Sequence, residues 1–301
     1  IGLLVPAVII FMKENMNTKV RGRKDLENLS IPFIGEIPQY LSAKKKLGFD
    51  KHTQSVMKAI VVKEGNRNII NEAFRVLRSN IDFMAGKDSG QNVFMLTSFN
   101  PGSGKSFLAM NIAMSFAIKK KRILVIDGDL RHGSTSSYVD SPKTGLSDYL
   151  GNRVSDWKEI IVKDEKYDNL HIIPIGTVPP NPTELLEDGK LATLIEVLRS
   201  EYDYIFIDCP PIDIVADAQI IEKLADRTVF VVRSGLLDRS MLPELENIYQ
   251  EKRFKNLSVI LNGTESAGGR YGYRYGYRNG YSSYYGNKGK MGGVNGWSSS
   301  D

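Results

Sequence analysis

Lys105 and Ser106 are the residues whose types and position most directly suggest chemistry. They follow a short loop that contains Gly102 and Gly104, and glycine, which has no Cβ, lets the backbone approach an anion closely. Backbone N–H groups in such a loop, and at the start of a helix behind it, point positive dipole ends at a phosphate. The Lys105 ammonium would contact the terminal phosphates of a nucleotide, and the Ser106 hydroxyl would hold Mg²⁺. This pattern predicts a phosphate-binding P-loop. The residues predicted to contact the nucleotide are Pro101, Gly102, Ser103, Gly104, Lys105, Ser106 and Phe107.

The loop departs from the strict GxxxxGK[ST] pattern, because Phe99 stands where that pattern has its first glycine. A chance GKS in a surface loop is the alternative reading. The flanking sequence argues against it. Residues 93–96 form a short apolar run typical of a buried parallel strand, and Phe107, Leu108 and Ile112 follow at helical spacing.

Three aspartates stand at the ends of two further apolar runs. Asp127 and Asp129 close the run that begins at residue 123, and Asp208 closes the run that begins at residue 204. Carboxylates at the carboxyl ends of strands beside a P-loop suit Mg²⁺ binding and proton transfer. The predicted Mg²⁺ ligands are Ser106, Asp129 and Asp208. The predicted catalytic residues are Lys105, Asp127 and Asp129. Asp127 is the preferred base and Asp129 its competitor, because spacing alone does not separate a base from a metal ligand.

Arg233 and Asn262 end two more predicted strands, over residues 228–232 and 257–261. Strand ends at this edge of an open α/β sheet are where the base or ribose of a nucleotide lies. Both residues are therefore predicted to contribute to the nucleotide site.

The elements that would position these residues alternate between apolar runs and helical patterns, which predicts an α/β fold. We expect a P-loop NTPase-like domain with a mostly parallel central sheet flanked by helices. A further strand is predicted over residues 170–175, and residues 31–38 form an extended segment between two prolines. Thr183 is a plausible N-cap for a helix that continues to Ser200.

A helix is predicted over residues 71–84, with Glu72, Arg75 and Arg78 along one side of it. The chemistry of these side chains alone leaves two readings equally open. They form either a solvated face with internal ion pairs or an ion-pair surface between subunits.

Charge and composition divide the chain into four parts. Residues 1–12 are apolar but too few to span a bilayer, which needs about 20 residues, and are interpreted as the end of a transmembrane helix. Residues 13–60 form a basic juxtamembrane segment and linker, typical of the cytoplasmic side of a membrane helix. Residues 61–265 form the P-loop domain. The chain has one cysteine, which suits a reducing compartment.

Residues 266–301 are rich in Gly, Ser, Tyr and Asn, and are predicted to form a disordered tail. Arginines alternate with tyrosines there, so an RNA-binding or self-associating tail is one alternative. The other is a set of phosphate acceptors, and these are Tyr271, Tyr273, Tyr275, Tyr277, Tyr281, Tyr284 and Tyr285. The net charge of +5 is concentrated in the two ends of the chain. A mildly acidic body does not favour nucleic-acid binding.

Taken together, these motifs resemble those of the bacterial tyrosine kinases, or BY-kinases, of capsule and exopolysaccharide assembly. The resemblance covers roughly residues 1–285. It depends on five features in order, namely the E-x-x-R-x-x-R helix, the GKS loop, the strand with Asp127 and Asp129, the Asp-x-Pro-Pro strand with Asp208, and the tyrosine cluster.

The resemblance implies a protein-tyrosine autokinase that uses ATP and Mg²⁺. It implies the cytoplasmic kinase domain of a polysaccharide co-polymerase in the bacterial plasma membrane. In that family the E-x-x-R-x-x-R helix mediates ring-like homo-oligomers, and each tail is phosphorylated in a neighbour's active site. A cognate tyrosine phosphatase is a further implied partner.

Two rival functions remain. A partition or septum-positioning ATPase of the deviant P-loop class carries a signature lysine five residues before the P-loop lysine, and this chain has Asn100 there. A catalytically silent adaptor would not need Lys105 and the three aspartates.

Overall fold

An eight-stranded sheet forms the centre of the fold in the computed structural model, which describes residues 18–40, 59–86, 90–212 and 216–265. The strand order is β1-β8-β7-β2-β6-β3-β5-β4. All neighbouring strands are parallel except β4, which pairs antiparallel with β5. The strands are β1 (Phe33–Pro38), β2 (Val93–Thr97), β3 (Ile123–Asp127), β4 (Val162–Lys163), β5 (Leu170–Ile173), β6 (Tyr204–Asp208), β7 (Arg227–Arg233) and β8 (Ser258–Thr264).

The central strands are apolar up to their last residues because helices cover both faces of the sheet. Every residue of β2, β3 and β6 is buried. The helices are α1 (Ile69–Ala85), α2 (Lys105–Ala117), α3 (Leu146–Leu150), α4 (Pro182–Glu187), α5 (Lys190–Glu201), α6 (Asp217–Glu222) and α7 (Leu242–Gln250). The mostly parallel α/β architecture predicted from the sequence is therefore confirmed.

Helix α2 lies inside the molecule, between the sheet and α1. All of its residues except Ser106 are buried, including polar Asn111 and Ser115. Helix α1 is amphipathic and buries Phe74, Leu77 and Ile81 on its inner side. Burying these large apolar side chains stabilises the layer by roughly 1.5–3 kcal/mol each.

One predicted helix was wrong in its start and its continuity. The region from Thr183 to Ser200 contains parts of two helices, α4 and α5. Gly189 lies between them, and its φ of +82° changes the direction of the chain. The N-cap position of α4 is Asn181. The Thr183 hydroxyl instead donates to the buried Asp217 carboxylate, with 2.7 Å between the oxygens.

Residues 31–38 are more than an extended segment, because β1 adds to the edge of the sheet beside β8. Prolines suit such an edge strand, since one of its sides needs no N–H donors.

The chain divides into two units, residues 1–265 and 266–301. The predicted membrane-helix end at residues 1–12 and the tyrosine tail lie outside the described residues, as do residues 13–17 and 41–58 of the predicted juxtamembrane segment and linker. Within the described part of the chain, no helix combines the length and apolar character needed to cross a bilayer.

Candidate nucleotide-binding and catalytic site

The loop between β2 and α2 has the backbone geometry of an anion cradle. Gly102 and Gly104 adopt φ values of +74° and +92°, which lie in the left-handed region that favours glycine. The Ser103 hydroxyl donates to the Asn100 carbonyl at 2.8 Å and tightens the turn. Helix α2 then starts at Lys105, so its free N–H groups and positive dipole end face the loop.

Gly104 is required for a second reason, because the loop packs directly on β8. A Cβ built on Gly104 would lie 2.3 Å from Nδ2 of Asn262. That same nitrogen donates to the Ser103 carbonyl at 2.8 Å. The Arg233 guanidinium lies beside both Gly104 and Gly263, and its burial lowers the pKa of Arg233. The structure therefore places Arg233 and Asn262 next to the P-loop.

Phe99 explains why the strict glycine of the pattern is absent. Its side chain is buried and packs edge-to-face against Phe230 of β7, with 4.8 Å between ring centroids. The loop is thus anchored in the apolar core at the position where other P-loops have glycine.

Lys105 lies inside the site with its charge largely removed from water. Its Nζ is 3.3 Å from the Ser98 hydroxyl oxygen. Burial lowers the pKa of Lys105, and the charges of Asp208 and Asp129 oppose that shift. The ammonium is therefore held close to the carboxylates and would be better compensated by an incoming phosphate.

Asp127 and Asp208 face each other across paired strands, since they are register partners at the ends of β3 and β6. Asp208 Oδ2 accepts hydrogen bonds from the hydroxyls of Ser106, at 2.5 Å, and Thr135, at 2.7 Å. Asp127 Oδ2 accepts from the backbone N–H and hydroxyl of Ser136, at 2.6 and 2.7 Å. Each carboxylate is thus held by one of its two oxygens.

The other oxygen, Oδ1, of Asp127 and of Asp208 is buried without a hydrogen-bond partner among the described residues. Burial, with a smaller contribution from the Asp208 charge, raises the pKa of Asp127 to about 8. Burial also raises the pKa of Asp208, against the opposing effect of Lys105. A pair of buried carboxylates with unused oxygens is costly unless a cation compensates it.

These residues fit Mg²⁺. No preformed group of three or more His, Cys, Asp or Glu metal ligands occurs in the described residues. Mg²⁺ does not need one, because it is usually held by one or two carboxylates together with phosphates and water. The Ser106 hydroxyl and the free Asp208 oxygen lie at the start of α2, where a phosphate-bound ion would stand.

Asp129 has a different environment from Asp127. It lies just beyond β3, and its Oδ1 is 3.3 Å from both the Arg131 backbone nitrogen and His132 Nδ1. Its side chain retains some exposure, whereas Asp127 has none.

Sequence reasoning missed the residues that orient the site. The hydroxyls of Ser98, Thr135 and Ser136 hold Lys105, Asp208 and Asp127 respectively. The dense hydroxyl run after Asp129, residues 134–137, was a signal that could have been noticed. A second missed cluster joins buried Asp217, the first residue of α6, to Arg131 at 3.0 Å and to Thr183 of α4, and so links the loop after β3 to two helices.

Glu72, Arg75 and Arg78 form a separate group on α1. Glu72 and Arg75 are ion-paired, and Arg75 also donates to the Asn66 carbonyl at 2.6 Å. Arg78 donates to the Ser115 carbonyl of α2 at 2.8 Å, near the end of α2 opposite the P-loop. Burial lowers the pKa of Arg78. The seven tail tyrosines lie outside the described residues.

Fold and site together define a protein of the P-loop NTPase class. A family model described as an AAA domain matches residues 91–236. Tyrosine-protein kinase YwqD of Bacillus subtilis (strain 168) is 34% identical over 210 residues, covering 69% of this chain and 87% of YwqD. The kinase domain of Escherichia coli tyrosine kinase ETK superposes with a TM-score of 0.71 at 28% identity, covering 86% of this chain and 100% of that domain.

The chain belongs to the family of bacterial tyrosine-protein kinases, and the described part is its kinase domain. Other relatives are longer. A Klebsiella pneumoniae relative from a cps region is 32% identical over 282 residues, which cover 90% of this chain and 38% of that relative. The chain thus spans well under half the length of such relatives.

Proposed function

We propose that this chain is an ATP- and Mg²⁺-dependent autokinase that phosphorylates the tyrosines of its own tail in trans within an oligomer. The observation that carries the proposal is the convergence of Lys105, Ser106 and three aspartates at the carboxyl edge of one sheet. Phosphoryl transfer needs positioning and charge neutralisation more than covalent catalysis. The residues gathered at this edge would supply both.

In the proposed mechanism, residues 101–107 bind the nucleotide phosphates through backbone N–H groups, and Lys105 neutralises their terminal charge. Ser106, Asp129 and Asp208 would hold Mg²⁺, which supplies charge stabilisation when it is bound. Arg233 and Asn262 would line the base or ribose site, because they stand beside the loop at the ends of β7 and β8.

A tyrosine phenol has a pKa near 10 and arrives protonated at neutral pH. We propose Asp127 as the residue that accepts this proton, through the Oδ1 atom that has no other partner in the described structure. Because burial raises the pKa of Asp127 to about 8, it would act as a base only when the charge of a bound Mg²⁺ favours its ionised form. Ser136 holds the second carboxylate oxygen and so fixes the direction of the first. Asp129 is the competing candidate, since it is the more exposed of the two.

Helix α1 supports the proposed ring-like homo-oligomer. Besides Glu72, Arg75 and Arg78, it presents apolar side chains outward at seven-residue intervals, and these are Ile69, Val76 and Phe83. Exposed apolar side chains in a row mark an interaction surface more often than a solvated face. An oligomer would bring one copy's tail to another copy's site.

The family relationship supports the cellular part of the proposal. Relatives from cps regions favour a role in regulating the polymerisation and export of capsular or exopolysaccharide. We propose that residues 1–12 end a membrane helix and that residues 266–301 are the substrate tail. The basic segment 13–60, which contributes β1 to the sheet, and the kinase domain 61–265 would lie on the cytoplasmic side of the plasma membrane. A cognate tyrosine phosphatase would reverse the modification.

Mixing two defective variants tests transfer in trans. One carries phenylalanine at all seven tail tyrosines and keeps an intact site, and the other carries Lys105→Met with an intact tail. We expect mass spectrometry to find phosphate on the Lys105→Met tail only when both variants and Mg·ATP are present.

The Lys105→Met variant alone is the control for contaminating kinases. An unmodified tail in the mixture, with the wild-type chain phosphorylated under the same conditions, would show that transfer occurs within one chain. ATP hydrolysis without any phosphotyrosine in the wild type would instead favour the positioning-ATPase function.

A further inference from the structure

A second cleft lies on the edge of the sheet opposite the P-loop. It has a volume of about 490 Å³ and opens where β3, β5 and β6 begin. Arg122, Asn169 and Tyr202, which precede these strands, line it. The catalytic carboxylates stand at the other ends of the same strands, and a five-residue strand is about 16 Å long. The cleft is thus separate from the nucleotide site.

Aromatic side chains form much of the cleft wall, and these are Trp157, Tyr167 and Tyr202. His171 fixes Tyr202, because its Nδ1 lies 2.6 Å from the phenolic oxygen and the two rings meet edge-to-face at 5.5 Å. Burial lowers the pKa of His171, so the imidazole adds little charge at neutral pH. The wall is suited to a planar ring, which would stack or meet these aromatics at their edges.

Three cations, Lys120, Arg122 and Lys166, surround the same cleft. None of them has a carboxylate within 4.0 Å in the described residues, whereas the adjacent Lys121 pairs with Asp203 at 3.8 Å. Lys166 Nζ lies 5.3 Å from the centre of the Tyr167 ring. Positive charge without an ion-pair partner therefore stands directly beside the aromatic surface.

A ring that carries a dianion matches this combination. Cations give charge-assisted hydrogen bonds to phosphate oxygens, and aromatic walls hold the ring. The cleft volume is within the range of about 300–1,000 Å³ typical of small-ligand pockets. Phosphotyrosine is the ligand of this chemistry that the chain itself would produce.

The cleft also has two acidic groups, Asp168 and Glu201, which the arginines of the tail would complement in charge. In the tail an arginine directly follows a tyrosine at Tyr273-Arg274 and again at Tyr277-Arg278. A phosphate on the tyrosine would meet the cations, and the neighbouring guanidinium would meet a carboxylate. Without phosphate, the basic tail would be repelled by the cations.

We propose that this cleft binds the phosphotyrosine form of the chain's own tail, residues 270–285. The physiological meaning of this rests on the proposed autokinase function. Binding here would hold the phosphorylated product on the face opposite the catalytic carboxylates and leave the acceptor site open to an unmodified tail.

Fluorescence of Trp157 gives a direct test that needs no kinase activity. The chain has two tryptophans, so a full-length, dephosphorylated Trp297→Phe variant reports from Trp157 alone. A synthetic peptide of residues 270–285, phosphorylated at Tyr273 and Tyr277, is titrated without ATP. We expect a change in Trp157 emission and an affinity at least about tenfold higher than that of the unphosphorylated peptide.

The variant Arg122→Gln/Lys166→Gln should lower that affinity at least about tenfold. Lys252→Gln, which removes an exposed lysine from the turn after α7, should leave it unchanged. Equal affinity for both peptides would overturn the proposal, because the phosphate would then contribute nothing to binding. Competition by saturating Mg·ADP would also overturn it, because the peptide would then bind at the P-loop. Since the phosphopeptide is synthetic, failure of this test leaves the autokinase proposal standing, and failure of the mixing experiment leaves this one standing.

Discussion

Asp127 and Asp129 are only two residues apart, yet the fold gives them different surroundings. Asp127 is wholly buried, fixed by Ser136 and paired across the sheet with Asp208. Asp129 lies outside the strand and retains exposure. A base and a metal ligand need this kind of separation, because the same carboxylate oxygen cannot serve both roles at once.

Substituting each aspartate by asparagine separates the two roles. We expect both Asp127→Asn and Asp129→Asn to lower tail phosphorylation roughly 100-fold or more, as loss of a general base or a metal ligand does. Only Asp129→Asn should weaken Mg²⁺-dependent binding of ADP, measured by calorimetry with and without the ion.

Asp140→Asn is the matched control, because Asp140 is exposed and its left-handed φ of 57° suits asparagine. It should change neither measurement. If Asp127→Asn abolishes the Mg²⁺ dependence while Asp129→Asn preserves it, the two assignments must be exchanged.

At the scale of elements, α2 connects the site to the rest of the domain. Its first residues would bind the phosphates in the proposed mechanism, and its buried Asn111 holds the segment that precedes α1. Asn111 Oδ1 accepts from the backbone N–H groups of Val61 and Val62 at 2.8 and 3.2 Å, and Nδ2 donates to the Ala59 carbonyl at 3.1 Å. A side chain here replaces the backbone pairing that a strand would have provided.

Asn111→Leu, which keeps the size of the side chain, should therefore destabilise the domain. It leaves two buried N–H groups without acceptors, at about 1–3 kcal/mol each. We expect the free energy of unfolding in urea to fall by about 2–5 kcal/mol.

Asn247→Leu on the exposed side of α7 is the control and should change stability by less than about 0.5 kcal/mol. An Asn111→Leu variant as stable as wild type would show that water or another acceptor replaces the amide oxygen. The role given to Asn111 would then be wrong.

At the scale of the whole molecule, three surfaces are spatially distinct. The proposed nucleotide site lies at one edge of the sheet, the aromatic and cationic cleft at the other, and the outer face of α1 on the side of the fold. On that face Phe83 is 89% exposed. So large an apolar side chain is exposed to water in an isolated kinase domain, whereas an interface between subunits would bury it.

Phe83→Glu should therefore lower the oligomer mass measured by light scattering, with little effect on the unfolding free energy. Val197→Glu on α5 is the matched control, since Val197 is also a helical apolar residue that is 42% exposed. It adds the same charge elsewhere and should leave the mass unchanged. Equal masses for wild type and Phe83→Glu would remove α1 from the proposed interface.

The sequence by itself predicted the buried central strands, the glycine loop before α2 and the carboxylates at the ends of β3 and β6. The apolar runs that end in Asp127 and Asp208 indicate strands buried on both faces of the sheet. Parallel strands bring their carboxyl ends to one edge of the sheet. Local signals also sufficed for Lys105 and for α1. These features depend on neighbours in the chain, so periodicity and spacing reveal them.

Only the tertiary structure decided how the site is held and where a second site could exist. Asn262 and Ser103, which are joined by a hydrogen bond, are 159 positions apart in the chain. Thr183 was misread as a helix cap because its partner, Asp217, comes 34 positions later. The aromatic and cationic cleft is assembled from the beginnings of three strands. Contacts of this kind depend on how strands are ordered in space, and no local pattern carries that order.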